Sequence, residues 1–283
     1  SYLPVDGRPA EDDTEVRIWY SPTALYFGII AHEIHNEVRS TLADRDKLEN
    51  DDYLILILDT YDDKRSAFAF VVNPLGQQGD GTITDNTSMG RNSKSFRLDD
   101  NPDYVFNSRG RLTEDGFIVE IEIPFKSLRY QSKNTQNWGF NVLRHIQHSG
   151  YTSTLINTKL GAASFLGQSG KLVNLSGIER DRIFDINPEI RGAVRREADD
   201  KNFNSEMTDP VGFNVRYGWS SNVGINATVN PDFSQIEADV AQINYDPRRS
   251  LFFPEKRPFF LDGIERFQTP TRLIYTRRIA NPV

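Results

Sequence analysis

Glu120 and Glu122 are the first residues whose types and spacing could do chemistry. They stand two apart in the run 117–123, where Phe117, Val119, Ile121 and Ile123 take the alternate positions. On a strand, residues two apart share a face at about 7 Å, a separation at which two carboxylates can act as acid and base on a glycosidic bond. The same pattern is the solvent face of an ordinary amphipathic strand. Nothing near the pair in the sequence marks a pocket or a raised pKa. The reading taken is the amphipathic strand, and an enzyme using Glu120 and Glu122 is the alternative.

Metal ligands are the next chemistry to weigh. In His32-Glu33-Ile34-His35 the two histidines share a face only on a helix, and on a strand they point apart. Zinc needs further ligands, and none is in view, so His32, His35, His145 and His148 read as solvated loop histidines. Acidic residues gather in 44–52, at Asp62-Asp63, and at Asp99, Asp100 and Asp103. Calcium takes six to eight oxygens from such loops, which makes Asp62, Asp63, Asp99 and Asp100 the candidate ligands. None has EF-hand spacing, and solvated acidic turns are the plainer reading. A Gly-x-Ser-x-Gly elbow, a His-Glu-x-x-His helix and a phosphate loop are all missing. The glycines at 76, 79 and 81 do not make a dinucleotide loop, because the strand before them ends in Asn73-Pro74 instead of feeding a helix.

The elements that would position these residues are strands. From Tyr53 to Leu58 no residue is polar on either face of an extended chain, so that strand should be covered on both sides. Ser66 to Val72 is again small, aromatic or β-branched, and the polar 60–65 between them predicts a hairpin at the centre of an antiparallel sheet. Asn73-Pro74 ends the second strand, since proline has no N–H for the ladder. Two further strands flank the Ser21-Pro22 turn, and Trp138, Phe140 and Val142 form another inward set. The Gly-, Asn- and Ser-rich 76–101 reads as one long loop.

Near Gly177 the character changes. Ile186, Pro188 and Ile190, then Val211, Phe213, Val215 and Tyr217, then Val223, Ile225, Ala227 and Val229 alternate with polar or small residues. Strands of about nine to eleven residues with one apolar side fit a transmembrane barrel, and a half-exposed soluble sheet gives the same pattern.

The totals limit the partners. The chain has 283 residues, a net charge of -7 and no cysteine. The acidic balance argues against nucleic acid, and the lack of cysteine excludes disulfides and thiolate zinc sites. No run approaches the ~20 apolar residues of a membrane helix. The chain begins at Ser1 without methionine, and it reads as a processed or truncated product.

Two motifs near the end carry a resemblance. Asn230-Pro-Asp-Phe-Ser-Gln-Ile-Glu-Ala-Asp239 and Phe252-Phe-Pro-Glu-Lys-Arg-Pro-Phe-Phe-Leu-Asp-Gly263 resemble signature stretches of a bacterial outer-membrane family of unknown function. Its members join an N-terminal domain similar to the family 9 carbohydrate-binding modules to a C-terminal β-barrel. Asp59-Thr-Tyr-Asp-Asp-Lys-Arg, Asn73-Pro-Leu-Gly, Glu114-Asp-Gly and Ile123-Pro-Phe-Lys-Ser-Leu-Arg129 match the module part. The resemblance implies a poly- or oligosaccharide ligand, and an outer-membrane protein whose module is periplasmic or surface-exposed. It also implies a barrel that continues past Val283.

A sugar site needs aromatic faces, and Trp19 and Trp138 are the tryptophans of the module part. Trp138 sits on the apolar side of its strand, where core packing competes with stacking on a sugar. The expected architecture is all-β: an antiparallel β-sandwich over 1–178, then β-hairpins of an incomplete outer-membrane barrel over 179–283, with 230–263 as an internal segment. The expected function is non-catalytic glycan binding that serves uptake or secretion. A protein-docking structural domain is a second alternative.

Overall fold

The computed structural model describes residues 3–35, 37–42, 44–84, 98–99, 102–179, 184–190, 211–220, 223–229, 251–252 and 278–279. The chain divides into two compact units, Ser1–Asp181 and Arg182–Val283.

Among the described residues the first unit has ten strands: β1 (Thr14–Tyr20), β2 (Ala24–His32), β3 (Tyr53–Asp59), β4 (Ser66–Val72), β5 (Gln78–Thr84), β6 (Asn107–Thr113), β7 (Gly116–Pro124), β8 (Thr135–Ile146), β9 (Tyr151–Thr154) and β10 (Gly170–Ser176). They form two antiparallel sheets. One has four strands in the order β1-β2-β7-β6, and the other has six, β10-β8-β3-β4-β5 with β9 beside β8.

The predicted central hairpin is present, and the two apolar faces of β3 explain its place. Leu54, Leu56 and Leu58 point to one side, where they meet Phe70 and Val72 of β4, Trp138, Phe140 and Val142 of β8, and the inward residues of β2 and β7. Phe27 of β2 stacks on Phe140 of β8 at 5.9 Å, so this core joins the two sheets. Ile55 and Ile57 point the other way, into a second cluster with Ala69, Leu143, Leu48 and Phe165. The central strand is thus covered on both faces, as its lack of polar residues requires.

Two buried polar residues fasten the fold, one between the sheets and one between loops. Arg144 of β8 donates from Nη1 to the Asp13 carbonyl at 3.2 Å and to Thr14 Oγ1 at 3.0 Å, and from Nη2 to the His32 carbonyl. One guanidinium therefore fastens the six-stranded sheet to the start of β1 and the end of β2. Asn73, fully buried after β4, accepts at Oδ1 from the N–H of Leu75 and Gln77, and donates from Nδ2 to the Thr41 carbonyl and Asp51.

One expectation is corrected, and one strand lies where none was expected. Residues 78–84 are not loop but β5, paired along its length with β4. Its sequence, Gln-Gly-Asp-Gly-Thr-Ile-Thr, has little strand propensity, and tertiary pairing overrides it. The polar Asn107–Thr113 is β6, an edge strand beside β7.

In the second unit β11 (Phe184–Ile190), β12 (Val211–Ser220) and β13 (Val223–Val229) form a three-stranded antiparallel meander. Short β14 (Leu251–Phe252) pairs with β15 (Arg278–Ile279). Most of the expected internal segment 230–263 lies outside the described residues.

Asn73→Ala should lower stability by about 1–3 kcal/mol, because it strands buried N–H and carboxylate partners. Urea denaturation of the 283-residue chain checks this, and an unchanged midpoint would count against the network.

Candidate functional site

The four-stranded sheet buries one face only. Val16 and Ile18 of β1, alternate residues of β2 from Leu25 to Ala31, and those of β7 from Phe117 to Ile123 all face the core. Register then fixes what the other face carries. One row runs Trp19, Tyr26, Glu122, Asn107 across the four strands, and the next runs Arg17, Gly28, Glu120, Arg109. With strands about 4.8 Å apart, a row of four spans about 14 Å.

Trp19 is 51% exposed. Its ring lies nearly parallel to that of Tyr26, 9° apart with centroids at 5.5 Å. Gly28 lies against it: a Cβ added there would be in ordinary contact, 3.5 Å from the indole. Beside the rings Asn107 Nδ2 donates to Glu122 Oε2 at 2.9 Å. Arg17 on the same face pairs with Glu15 at 2.7 Å, which pulls the exposed Glu15 carboxyl below its usual range. An aromatic platform thus lies next to carboxylates, an amide and guanidinium groups. Such a surface can stack on an apolar ring face and hydrogen-bond the hydroxyls at its rim.

Of the residues expected to bind sugar, only Trp19 is available. Trp138 has no exposed surface and packs edge-on against Phe125 at 5.8 Å, with Tyr130 at 5.6 Å. It is a core residue, because its strand turns that side toward the other sheet. Glu120 and Glu122 do share a face with Trp19, which sequence alone did not reveal. Tyr26 was not singled out either, though the spacing of Leu25, Phe27 and Ile29 is a signal that could have turned it outward. Asn107 and Arg109 were not legible, since β6 carries no apolar rhythm.

The expected calcium ligands are not gathered. Asp62 pairs with Lys171 at 2.6 Å, and Asp63 accepts the Arg65 N–H. Asp99 forms a backbone bridge to Thr82, and Asp100 lies outside the described residues. Among the described residues the acidic trio that does converge is Asp46, Asp80 and Asp103. Arg45 already stands there, bonded to buried Asp80 and 3.6 Å from Asp103.

The histidines divide. His32 Nδ1 meets Asp115 at 3.1 Å on the surface. His145 stacks on Tyr53 at 4.7 Å and uses both nitrogens, on Thr152 and Gln147, while burial lowers its pKa. His35 and His148, expected as separate solvated residues, meet edge-on with centroids 5.6 Å apart.

Residues 187–283 match DUF5916, a domain of unknown function. Among curated proteins, none matches the chain. The fold is similar to that of a family 9 carbohydrate-binding module from Caldicellulosiruptor kristjanssonii, at 15% identity and a TM-score of 0.41, over 64% of this chain and 86% of that one. That module was solved in complex with glucose, and a second similar structure, with 15% identity, a TM-score of 0.41 and 84% of its chain covered, holds cellotriose. Likeness at this level identifies no ligand for this chain.

Burial pushes the Asp80 carboxyl up to about 6 from an ordinary 3.8, against the opposing pull of the Tyr104 N–H and Arg45. A folded pKa above the unfolded one means that stability is fullest below about pH 4 and is lost as pH rises through about 6. The stability of the chain relative to its Asp80→Asn variant should therefore fall between those values. A difference that stays flat across this range would contradict it.

Proposed function

We propose that the first unit is a non-catalytic glycan-binding module, and that a poly- or oligosaccharide lies on the outer face of the four-stranded sheet. The observation that carries the reading is the exposed Trp19, stacked nearly parallel on the half-buried Tyr26 beside Glu122 and Asn107. A pyranose has a face of C–H groups and a rim of hydroxyls. The rings suit the first, and the carboxylate, amide and Arg109 suit the second. Aromatic rings held by a rigid sheet lose little freedom on binding, which favours affinity from few contacts.

An enzyme using Glu120 and Glu122 remains the alternative reading. A glycosidase acid is a carboxyl kept protonated by burial, whereas Glu120 is exposed and Glu122 is engaged by Asn107. Hydrolysis of cellotriose that disappears in the double Glu120→Gln, Glu122→Gln variant would favour the enzyme.

The glycan reading is tested with cellotriose and a glycan array, followed by tryptophan fluorescence. Trp19→Ala should weaken binding at least ~10-fold, the scale of a lost stacking contact worth about 1–1.5 kcal/mol together with its buried area. Gly28→Leu should do the same by displacing the ring. An array with no signal above background would favour a protein-docking domain.

A separate observation favours a membrane role for the second unit. Phe184, Ile186 and Ile190 of β11, Val211 and Phe213 of β12, and Ile225 and Val229 of β13 are all exposed. Register places them on one face, with Phe184 opposite Tyr217 opposite Ile225, and Pro188 opposite Phe213 opposite Val229. An apolar sheet face of this kind suits the lipid side of a barrel wall. We infer that this unit contributes to an outer-membrane barrel whose module is periplasmic or surface-exposed, and that the whole serves uptake or secretion.

The 283-residue chain should co-float with phosphatidylethanolamine/phosphatidylglycerol vesicles. A triple variant, Ile190→Asp, Phe213→Asp and Ile225→Asp, should lose most of that association. Equal flotation of the two proteins would count against lipid contact.

A further inference from the structure

The end of the first unit opposite the aromatic platform carries groups that the glycan reading does not use. Glu11 precedes β1, Glu33 and His35 follow β2, and His148 sits in the turn between β8 and β9. About seven residues of β2 separate Tyr26 from Glu33, or roughly 20 Å along an extended chain. The two regions are therefore distinct.

Here the donors converge. Glu11, His35 and His148 each offer a ligand atom within 4.8 Å of the others. His35 Nε2 is 3.4 Å from Glu11 Oε1, and His148 Nδ1 is 3.6 Å from Glu33 Oε2. Two donors bound at about 2.0–2.1 Å to a tetrahedral ion stand about 3.4 Å apart, so both pairs have the separation of ligands on one small cation.

The buried charges give an independent reason. Asp12, Glu33 and Asp52 are 3%, 3% and 1% exposed, and Arg144 at 2% is the cation among them. Asp12 Oδ2, Glu33 Oε2, Asp52 Oδ2, Arg144 Nε and His148 Nδ1 are buried without a hydrogen-bond partner among the described residues. Three carboxylates against one guanidinium leave negative charge uncompensated, and burying unpaired charge is costly. The Glu33 carboxylate is anchored through Oε1 by the His35 N–H at 2.7 Å, and its free oxygen is the one that faces His148.

We propose that Glu11, His35 and His148 bind one divalent transition-metal ion of the zinc class, with the buried Glu33 carboxylate beside His148. Two imidazoles with carboxylates suit zinc, cobalt or nickel, whereas calcium favours an all-oxygen set. The ligands come from segments attached to both sheets, so the ion would join the sandwich at the end that Arg144 already fastens. It would also supply the positive charge that the buried carboxylates lack.

The test is calorimetric titration of the untagged, chelator-treated 283-residue chain with zinc chloride, with cobalt chloride as a spectroscopic probe. One zinc per chain should bind, and cobalt should give the visible bands of a four- or five-coordinate ion that zinc then removes. Losing one outer hydrogen-bond partner of a metal site costs about 10–100-fold in affinity. Removing two ligands in the His35→Ala, His148→Ala variant should therefore cost ~100-fold or more. Because His35 is exposed, its single variant should fold, and its circular dichroism is checked first. Zinc should raise the melting temperature of the parent chain but not of the variant. Absence of zinc binding to the parent chain, unchanged zinc binding in the double variant, or displacement of zinc by equimolar calcium would overturn the proposal.

Discussion

A strand buried on both faces is the constraint on which the first unit depends. β3 has no side on which water is tolerated, so it needs hydrogen-bonded neighbours on both edges and apolar cover above and below. β4 and β8 are those neighbours, the four-stranded sheet covers one face, and Leu48 and Phe165 help to cover the other. The covering sheet is itself packed on one side only. Its second side is released from core duty and can carry Trp19, Tyr26, Glu120 and Glu122 without weakening the interior.

Buried polar groups then decide how the loops attach. Asn73 saturates its hydrogen bonds between the turn after β4 and the segment around Thr41 and Asp51. Arg144 does the equivalent for the two sheets, and its pKa falls with burial while Asp12, Asp52 and Glu33 oppose that fall. The contrast between the two networks is physical. Around Asn73 the one carboxylate, Asp51, accepts from the Thr41 N–H, the Thr41 hydroxyl and the Asn73 amide, and around Arg144 the carboxylates outnumber the cation and keep unpartnered oxygens. That imbalance separates a purely structural network from one with room for an ion.

Much of the sandwich was legible in the sequence because periodicity reports burial directly. The apolar run from Tyr53 to Leu58 and the alternation from Phe117 to Ile123 each name an element and its inward face. β5 and β6 were not legible, since Gly79, Gly81 and Gly110 have no side chain to report a face and the pairing comes from neighbours. The aromatic platform was half legible: Trp19 has the opposite parity to Val16, Ile18 and Tyr20, which leaves it free to face solvent without deciding it, and its contact with Tyr26 and the row continuing to Glu122 and Asn107 depend on register between strands. The meeting of His35 with His148 was not legible for the same reason, since the fold alone brings the two together.

In the second unit the same logic runs in reverse. Its sheet shows an apolar side that no described residue of that unit covers as a core would, whereas the first unit shows water a polar side with two aromatic rings. The central claim, that this polar side is a glycan platform, is tested most directly by titrating cellotriose into the 15N-labelled chain and following its 1H–15N correlation spectrum. The account predicts that the largest shifts fall on the Trp19 indole N–H, Gly28, the Asn107 side-chain amide and the β7 amides near Glu122. Shifts confined to another surface of the sandwich, with Trp19 unmoved at saturation, would contradict it.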